Sequence, residues 1–367
     1  MEFMYHSARL PKDQQSLMSI NAAANRLYNK LKTLEIQQLD ISDYIKRSLG
    51  KRLTHLTSSL ILYSYILSWS LAKSDLPISE SVFLDYGGGS GMLCLLAKEL
   101  GLGTVIYTDI YDVSCHDARL VAESIGNQAD HYVQGDMDNV FGFLRTYNIN
   151  CNAVASYDVI EHIYDIESFF VKLPLFSDGP LTIVMSSGAN PFNPMINRRR
   201  MRSQLEVEYK DRKKQRGHKE RDCLKSYLNA RAEIIHEYSQ QLNQELTEGE
   251  IEQLARKTRG MMEVDIRKCV DRYVQTGELP PGSTHPTNTC DPYTGNWAEH
   301  LIDPYSLARI LSGAGFKVDV LSGYYGRPKD IAERLLNRFS NLAIYLFQKQ
   351  GIRIAPFYTV YGRRDSN

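Results

Sequence analysis

Between residues 81 and 188, short apolar runs alternate with segments of helical periodicity, and few folds accept that pattern. The runs are 82–86, 104–109, 131–134, 152–157 and 181–186; between them, 92–100, 114–125 and 166–175 carry helical spacing. Strands separated by helices of this length imply βαβ crossovers, and therefore a mostly parallel sheet covered by helices. The pattern resumes with a helix over 304–314 and strands over 317–321 and 357–361.

The flanking segments read differently. Residues 1–80 lack β-branched runs, and apolar positions recur at helical intervals through 22–34. The most apolar window, 58–72, is 15 residues long with five serines. A membrane-spanning helix needs about 20 apolar residues, so this window is expected to be a buried core helix. Asn190, Pro191, Asn193 and Pro194 interrupt the chain after the fifth strand, and polar, helix-prone sequence follows. Thr247 and Glu250 have capping-box spacing, which predicts a helix running from there towards Thr276. The expected organisation is a helical extension over 1–80, a core over 81–188 and 297–367, and a mainly helical insertion over 189–296. The insertion is expected to serve as a lid, a substrate wall or a homodimer contact.

Lysine plus arginine and aspartate plus glutamate stand at 43 each, so no global field favours nucleic acid or a membrane surface. The six cysteines include no CxxC pair, which argues against zinc ribbons and disulfide frameworks. With no basic, apolar leader at the start, a cytoplasmic protein without a membrane span is expected. Charge is uneven only locally: residues 198–231 hold 13 Lys/Arg against 5 Asp/Glu. That stretch fits an anionic substrate or RNA, or a solvated helix partly neutralised by its neighbours. Only Tyr209 and Tyr227 are interleaved there for base stacking, which weighs against nucleic acid.

The first strand ends in Asp85-Tyr86-Gly87-Gly88-Gly89-Ser90-Gly91 and runs into a helix. A strand, glycine-rich turn and helix in this order is expected to offer free backbone N–H groups at a helix N-terminus. Gly87, Gly89 and Gly91 leave room for a ligand against the backbone. Dinucleotide folds use a similar turn. Asp85, however, would repel a pyrophosphate and suits an ammonium or a water network. Asp109 ends the second strand, where a carboxylate can accept from both hydroxyls of a ribose. Asp136 and Met137 follow the third strand and could meet an adenine.

These residues resemble the class I, Rossmann-like S-adenosylmethionine methyltransferases. That family's first motif, Asp/Glu-x-Gly-x-Gly-x-Gly after an apolar strand, is matched from Leu84 to Gly91. The resemblance covers roughly 80–188 and 297–364 and implies a seven-stranded Rossmann-like methyltransferase sheet with S-adenosyl-L-methionine as cofactor. It places Asp85, Gly87, Gly89 and Gly91 around the methionine and ribose, Asp109 on the ribose hydroxyls and Ile110 against the adenine. Asp136 would accept from the adenine amino group and Met137 would pack on its ring.

Tyr157-Asp158-Val159-Ile160-Glu161-His162 looks like the family's stretch after the fourth strand, which adds Tyr157 and Asp158 to the cofactor set. His162 is the first candidate base. His300, in Trp297-Ala298-Glu299-His300, is the second, because that segment resembles one in related small-molecule enzymes. Tyr324 and Tyr325 are weaker pocket candidates. No third ligand accompanies Glu161 and His162, so no metal is expected. The expected reaction is methylation of a small-molecule acceptor, on oxygen, with a sugar or glycan precursor in view. The alternatives are an RNA or protein acceptor docked on the insertion, an NAD-dependent oxidoreductase, and a non-catalytic cofactor-binding subunit.

Overall fold

The computed structural model describes residues 2–4, 8–72, 74, 76–212, 223–326, 328 and 330–365. The chain forms two compact units, one from 1–160, 166–193 and 303–367, the other from 161–165 and 194–302. The boundaries therefore fall at 193/194 and 302/303, against sequence expectations of 188/189 and 296/297, and the second unit takes in 161–165.

The first unit is an α/β layer structure. Its strands are β1 (Val82–Tyr86), β2 (Thr104–Asp109), β3 (His131–Gln134), β4 (Ala153–Tyr157), β5 (Leu181–Ser187), β6 (Lys317–Ser322) and β7 (Tyr358–Arg364). They form one seven-stranded sheet in the order β3-β2-β1-β4-β5-β7-β6, with β7 antiparallel to β5 and β6. The chain leaves β1 towards β2 and β3, then returns to the other side of β1 for β4. Such a reversal opens a crevice at the carboxyl ends of the strands, where open α/β sheets hold their ligands.

Three helices precede the sheet: α1 (Gln14–Leu31), α2 (Asp43–Thr54) and α3 (Leu56–Ser70). Helix α3 is apolar on all sides and 12 of its 15 residues are buried, as expected of a core helix. No helix among the described residues is long and apolar enough to cross a membrane. The crossovers are α4 (Met92–Leu100), α5 (Asp112–Ile125), α6 (Met137–Thr146) and α7 (Ile166–Lys172). Helix α6 was not expected from sequence; it starts from a reciprocal cap between Asp136 and Asn139.

The second unit contains α8 (Pro194–Tyr209), α9 (Tyr227–Gln241), α10 (Glu248–Lys257) and α11 (Glu263–Thr276). The single helix expected from 247 to Thr276 is therefore two. It breaks at Gly260, whose φ of +81° ends a helical path and whose added Cβ would lie 2.9 Å from the Trp297 ring. Ile234, Ile235, Leu254, Ala255, Ile266 and Val270 form the local core. Within it, Arg231 is fully buried and pairs with Glu208 at 2.5 Å while its Nε donates to the Ala255 carbonyl. Thr289 donates to the other Glu208 oxygen at 2.7 Å, so both charges are well satisfied. The first unit closes with α12 (Pro304–Gly313), capped by Asp303, and α13 (Ile331–Phe347), the second helix not expected from sequence.

Candidate active site

The glycine turn sits at the end of β1, at the reversal of the sheet. Gly87, Gly89 and Gly91 all have positive φ (+72°, +52° and +76°), a region that L side chains enter only with strain. Their surroundings differ. A Cβ on Gly87 would lie 2.6 Å from a Val159 methyl carbon, whereas one on Gly89 would meet nothing within 4 Å. Gly87 is required by packing, and Gly89 faces open space.

Three N–H groups of the turn, those of Gly88, Gly89 and Gly91, are used within the fold. Gly88 N–H donates to the Thr108 carbonyl at 2.9 Å, Gly91 N–H to the Gly88 carbonyl at 2.9 Å, and Gly89 N–H to Asp109 Oδ2 at 3.0 Å. The Tyr107 hydroxyl closes the loop by donating to the Gly89 carbonyl at 2.7 Å. Donors already committed in this way cannot cradle a pyrophosphate.

Two buried carboxylates flank the turn. Asp109 accepts from Tyr111 N–H through Oδ1 and from Gly89 N–H through Oδ2, each at 3.0 Å, which fixes its plane. Burial raises its pKa, and the Tyr111 and Gly89 donors hold it back. Asp85 is 3% exposed, and its Oδ2 has no hydrogen-bond partner among the described residues. Burial pushes the Asp85 carboxyl up to about 7; contacts with Cys94 oppose the shift and the Asp109 charge adds to it. A desolvated carboxylate with an unanswered oxygen is a strong acceptor for a cation or an N–H donor.

Beyond Asp109, Ile110 is 60% exposed, an apolar side chain left facing solvent. Asp136 is exposed and caps α6, with Oδ1 accepting from Asp138 N–H at 3.0 Å and Asn139 N–H at 3.1 Å. Met137 is buried at the first turn of α6. At the end of β4, Asp158 takes a positive φ of +55°, donates its N–H to the Ser186 carbonyl and accepts from Gly188 N–H at 2.9 Å. Tyr157 lies beside it, edge-on to Tyr63 of α3 and to Phe357.

The two histidines singled out from sequence belong to the second unit and share one scaffold. The 161–165 segment is laced to 297–300: Trp297 N–H donates to the His162 carbonyl at 3.3 Å and His300 N–H to the Glu161 carbonyl at 3.0 Å. Trp297 Nε1 donates to the Tyr164 carbonyl, and its ring stacks between Tyr164 and His300. His162 Nδ1 lies 2.9 Å from the Trp297 carbonyl oxygen. A carbonyl can only accept, so Nδ1 carries the proton and the neutral ring keeps its lone pair on Nε2. His300 is partly buried, its Nδ1 has no hydrogen-bond partner among the described residues, and burial pushes its pKa down to about 4.

The sheet order, with the glycine turn at β1 and acidic residues ending β1 and β2, settles the architecture. The chain has the class I methyltransferase fold. No family model matches it, and neither does any curated protein. Among solved structures it is similar to an S-adenosylmethionine-dependent methyltransferase from Mesorhizobium loti, at 14% identity over 79% of this chain and 94% of that one, with a TM-score of 0.37. It is also similar to the carbon methyltransferase CurJ, at 10% identity over 84% of this chain and 56% of that one, with a TM-score of 0.35. A putative methyltransferase from Bacillus halodurans C-125 aligns at 17% identity over 40% of this chain, with a TM-score of 0.31. The chain spans 59% of that protein's length.

Around this methyltransferase fold, sequence reasoning passed over two contributions of the N-terminal helices. Tyr44, from α2, is half-buried near Asp109, and both its burial and that charge raise its pKa. Arg52, also from α2, lies over the rings of Tyr63 and Tyr157 at 5.6 and 5.7 Å, within reach of the Asp158 charge. Ser42, the α2 cap, donates its N–H to Asp117 of α5 at 2.9 Å and so ties the extension to the sheet. No local signal marks Tyr44 or Arg52, because both reach the crevice through tertiary contact. Tyr324, by contrast, packs in the core against Tyr65 and Phe357, while the Tyr325 hydroxyl donates to the Ile354 carbonyl.

Proposed function

We propose that this protein is an S-adenosylmethionine-dependent methyltransferase acting on a small-molecule acceptor, by methylation of oxygen, with a sugar or glycan precursor as the class to try first. One observation carries the cofactor assignment: two buried carboxylates flank a glycine turn in which the N–H groups of Gly88, Gly89 and Gly91 are already used. That environment favours a cationic, ribose-bearing ligand over a dinucleotide pyrophosphate. In this reading Gly87, Gly89 and Gly91 line the methionine and ribose, and Asp85 faces the cofactor's ammonium. Asp109 takes the ribose hydroxyls, while Ile110 and Met137 cover the adenine and Asp136 accepts from its amino group. Tyr157 and Asp158 complete the methionine end, and Arg52 is suited to its carboxylate. When bound, the cofactor supplies an electrophilic methyl group for in-line displacement, and the protein's part is alignment and exclusion of water.

A hydroxyl acceptor needs its proton removed. His162 is the base in this reading, because the bond from Nδ1 to the Trp297 carbonyl presents Nε2 as the acceptor. His300, kept neutral by burial and stacked on Trp297, is assigned to hold that scaffold, since a base of such low pKa is poorly matched to neutral pH. Part of the insertion's charge is answered internally, which favours a small acceptor over RNA. Arg200 pairs with Glu299 at 2.8 Å, Lys225 with Glu233 at 2.5 Å and Arg231 with Glu208, so these cations are answered internally. Lys213, Lys214, Arg216, Lys219 and Arg221 of the basic stretch lie outside the described residues.

The test is incubation of the purified chain with methyl-labelled cofactor and fractionated cell extract. Label should enter a low-mass acceptor, with transfer lost in His162→Ala and retained in part in His300→Ala. Label in RNA or protein fractions would reject the small-molecule assignment.

A further inference from the structure

Helix α13 is inverted relative to an ordinary surface helix. Two asparagines face the protein beside Ile344: Asn337 is 7% exposed and Asn341 fully buried. Asn341 accepts from Tyr325 N–H at 2.7 Å and donates to the Tyr325 carbonyl at 2.9 Å, a two-point clamp that fixes the helix's rotation. The clamp leaves the apolar face outward, with Leu336 64%, Phe339 69% and Leu346 65% exposed. Of 21 large apolar side chains exposed among the described residues, eight belong to this 17-residue helix. Monomeric soluble proteins rarely leave so contiguous a patch in water unless it docks on something. Beside it, a groove of about 780 Å³ runs from Tyr345 and Leu346 to Met18 of α1, with Arg9, Lys12 and Glu2 in its lining.

Charge identifies the occupant. From Asp330 to Arg353 the chain carries Arg334, Arg338, Lys349 and Arg353 against Asp330 and Glu333, a local excess of +2 in a chain of net zero charge. Asp330 is engaged as the cap of α13, accepting from Glu333 N–H. Arg334 and Arg338 are exposed and form no ion pair among the described residues. A second copy of the chain packed on this face would add another set of the same cations to the contact. An anionic surface would neutralise them. An apolar face rich in leucine and aromatic side chains, edged by arginine, is the composition of helices that lie flat in the headgroup region of a bilayer.

We propose that α13 seats this protein on an anionic lipid surface, its Leu336–Phe339–Leu346 face in the interface and Arg334 and Arg338 at the headgroups. This assignment is independent of the cofactor reading. The test is flotation of the full-length chain with vesicles of phosphatidylcholine alone or with about 30% phosphatidylglycerol at low salt. The bound fraction should be about tenfold higher on the anionic vesicles and should fall with added salt. The Phe339→Glu, Leu346→Glu double variant should lose binding while keeping its circular dichroism and elution volume, and the milder Leu336→Gln should weaken it in the same direction. Absence of wild-type flotation with anionic vesicles would overturn the proposal, and so would flotation undiminished by these substitutions. A wild-type dimer that the double variant makes monomeric, with no vesicle binding by either, would assign the face to a second copy instead.

Discussion

Asp85 and Asp109 end neighbouring strands and carry the same functional group, yet their surroundings set them to different tasks. Asp109 is fixed by two backbone donors and remains oriented whether or not a ligand is present. Asp85 is desolvated, and its carboxyl is raised to about 7. Because the folded pKa lies above the ordinary value, the native state keeps a proton that the unfolded chain has already lost, so Asp85's contribution to stability declines as pH rises from about 4 to about 7. A cationic ligand reverses the preference, since it favours the ionised carboxylate. Binding of S-adenosylmethionine should therefore strengthen with pH, with Kd about tenfold lower at pH 8 than at pH 6. Calorimetry across that range checks this: Asp85→Asn should flatten the profile, and a flat wild-type profile would remove Asp85 from the cation's environment.

At the scale of elements, the glycine turn separates folding from binding. Gly87→Ala adds a methyl-sized clash with Val159 to a positive φ and should destabilise the fold by at least about 1–2 kcal/mol. Gly89→Ala carries backbone strain of similar size, but its Cβ enters open space, so cofactor affinity should fall more steeply than in any variant of equal stability. Urea midpoints and calorimetry on both variants would reveal the split. In the helical unit, Arg231→Met leaves Glu208 buried without its cation and should cost about 3–5 kcal/mol, read as a lower urea midpoint. Adding Glu208→Gln to that variant should recover part of the loss. The strands and α4 are legible because short apolar runs and glycine stops are local signals. Helix α6 is hidden behind Asp136, which reads in sequence as a ligand residue, and α13 because its apolar face turns away from the core. The break at Gly260 is itself a glycine stop that the capping-box spacing overrode in sequence, and only its packing against Trp297, 37 positions later in the chain, is non-local. His162 and Trp297-Ala298-Glu299-His300 each stand out in sequence, but their hydrogen-bonded pairing is not readable there.

For the whole molecule, the glycine turn, Asp85 and Asp109 belong to one compact unit, and His162 and His300 to the other. The N-terminal helices belong to the first unit, and through Tyr44 and Arg52 they supply side chains to the crevice that the glycine motif does not encode. The proposed function stands or falls on whether this crevice binds S-adenosylmethionine. Titration calorimetry of the purified protein with S-adenosylmethionine, S-adenosylhomocysteine and NAD tests it most directly. One site is expected for each of the first two, with no heat from NAD and affinity weakened about tenfold or more in Asp109→Ala, which loses charge-assisted hydrogen bonds. Binding of NAD, or no binding of either sulfur ligand by folded protein, would contradict it.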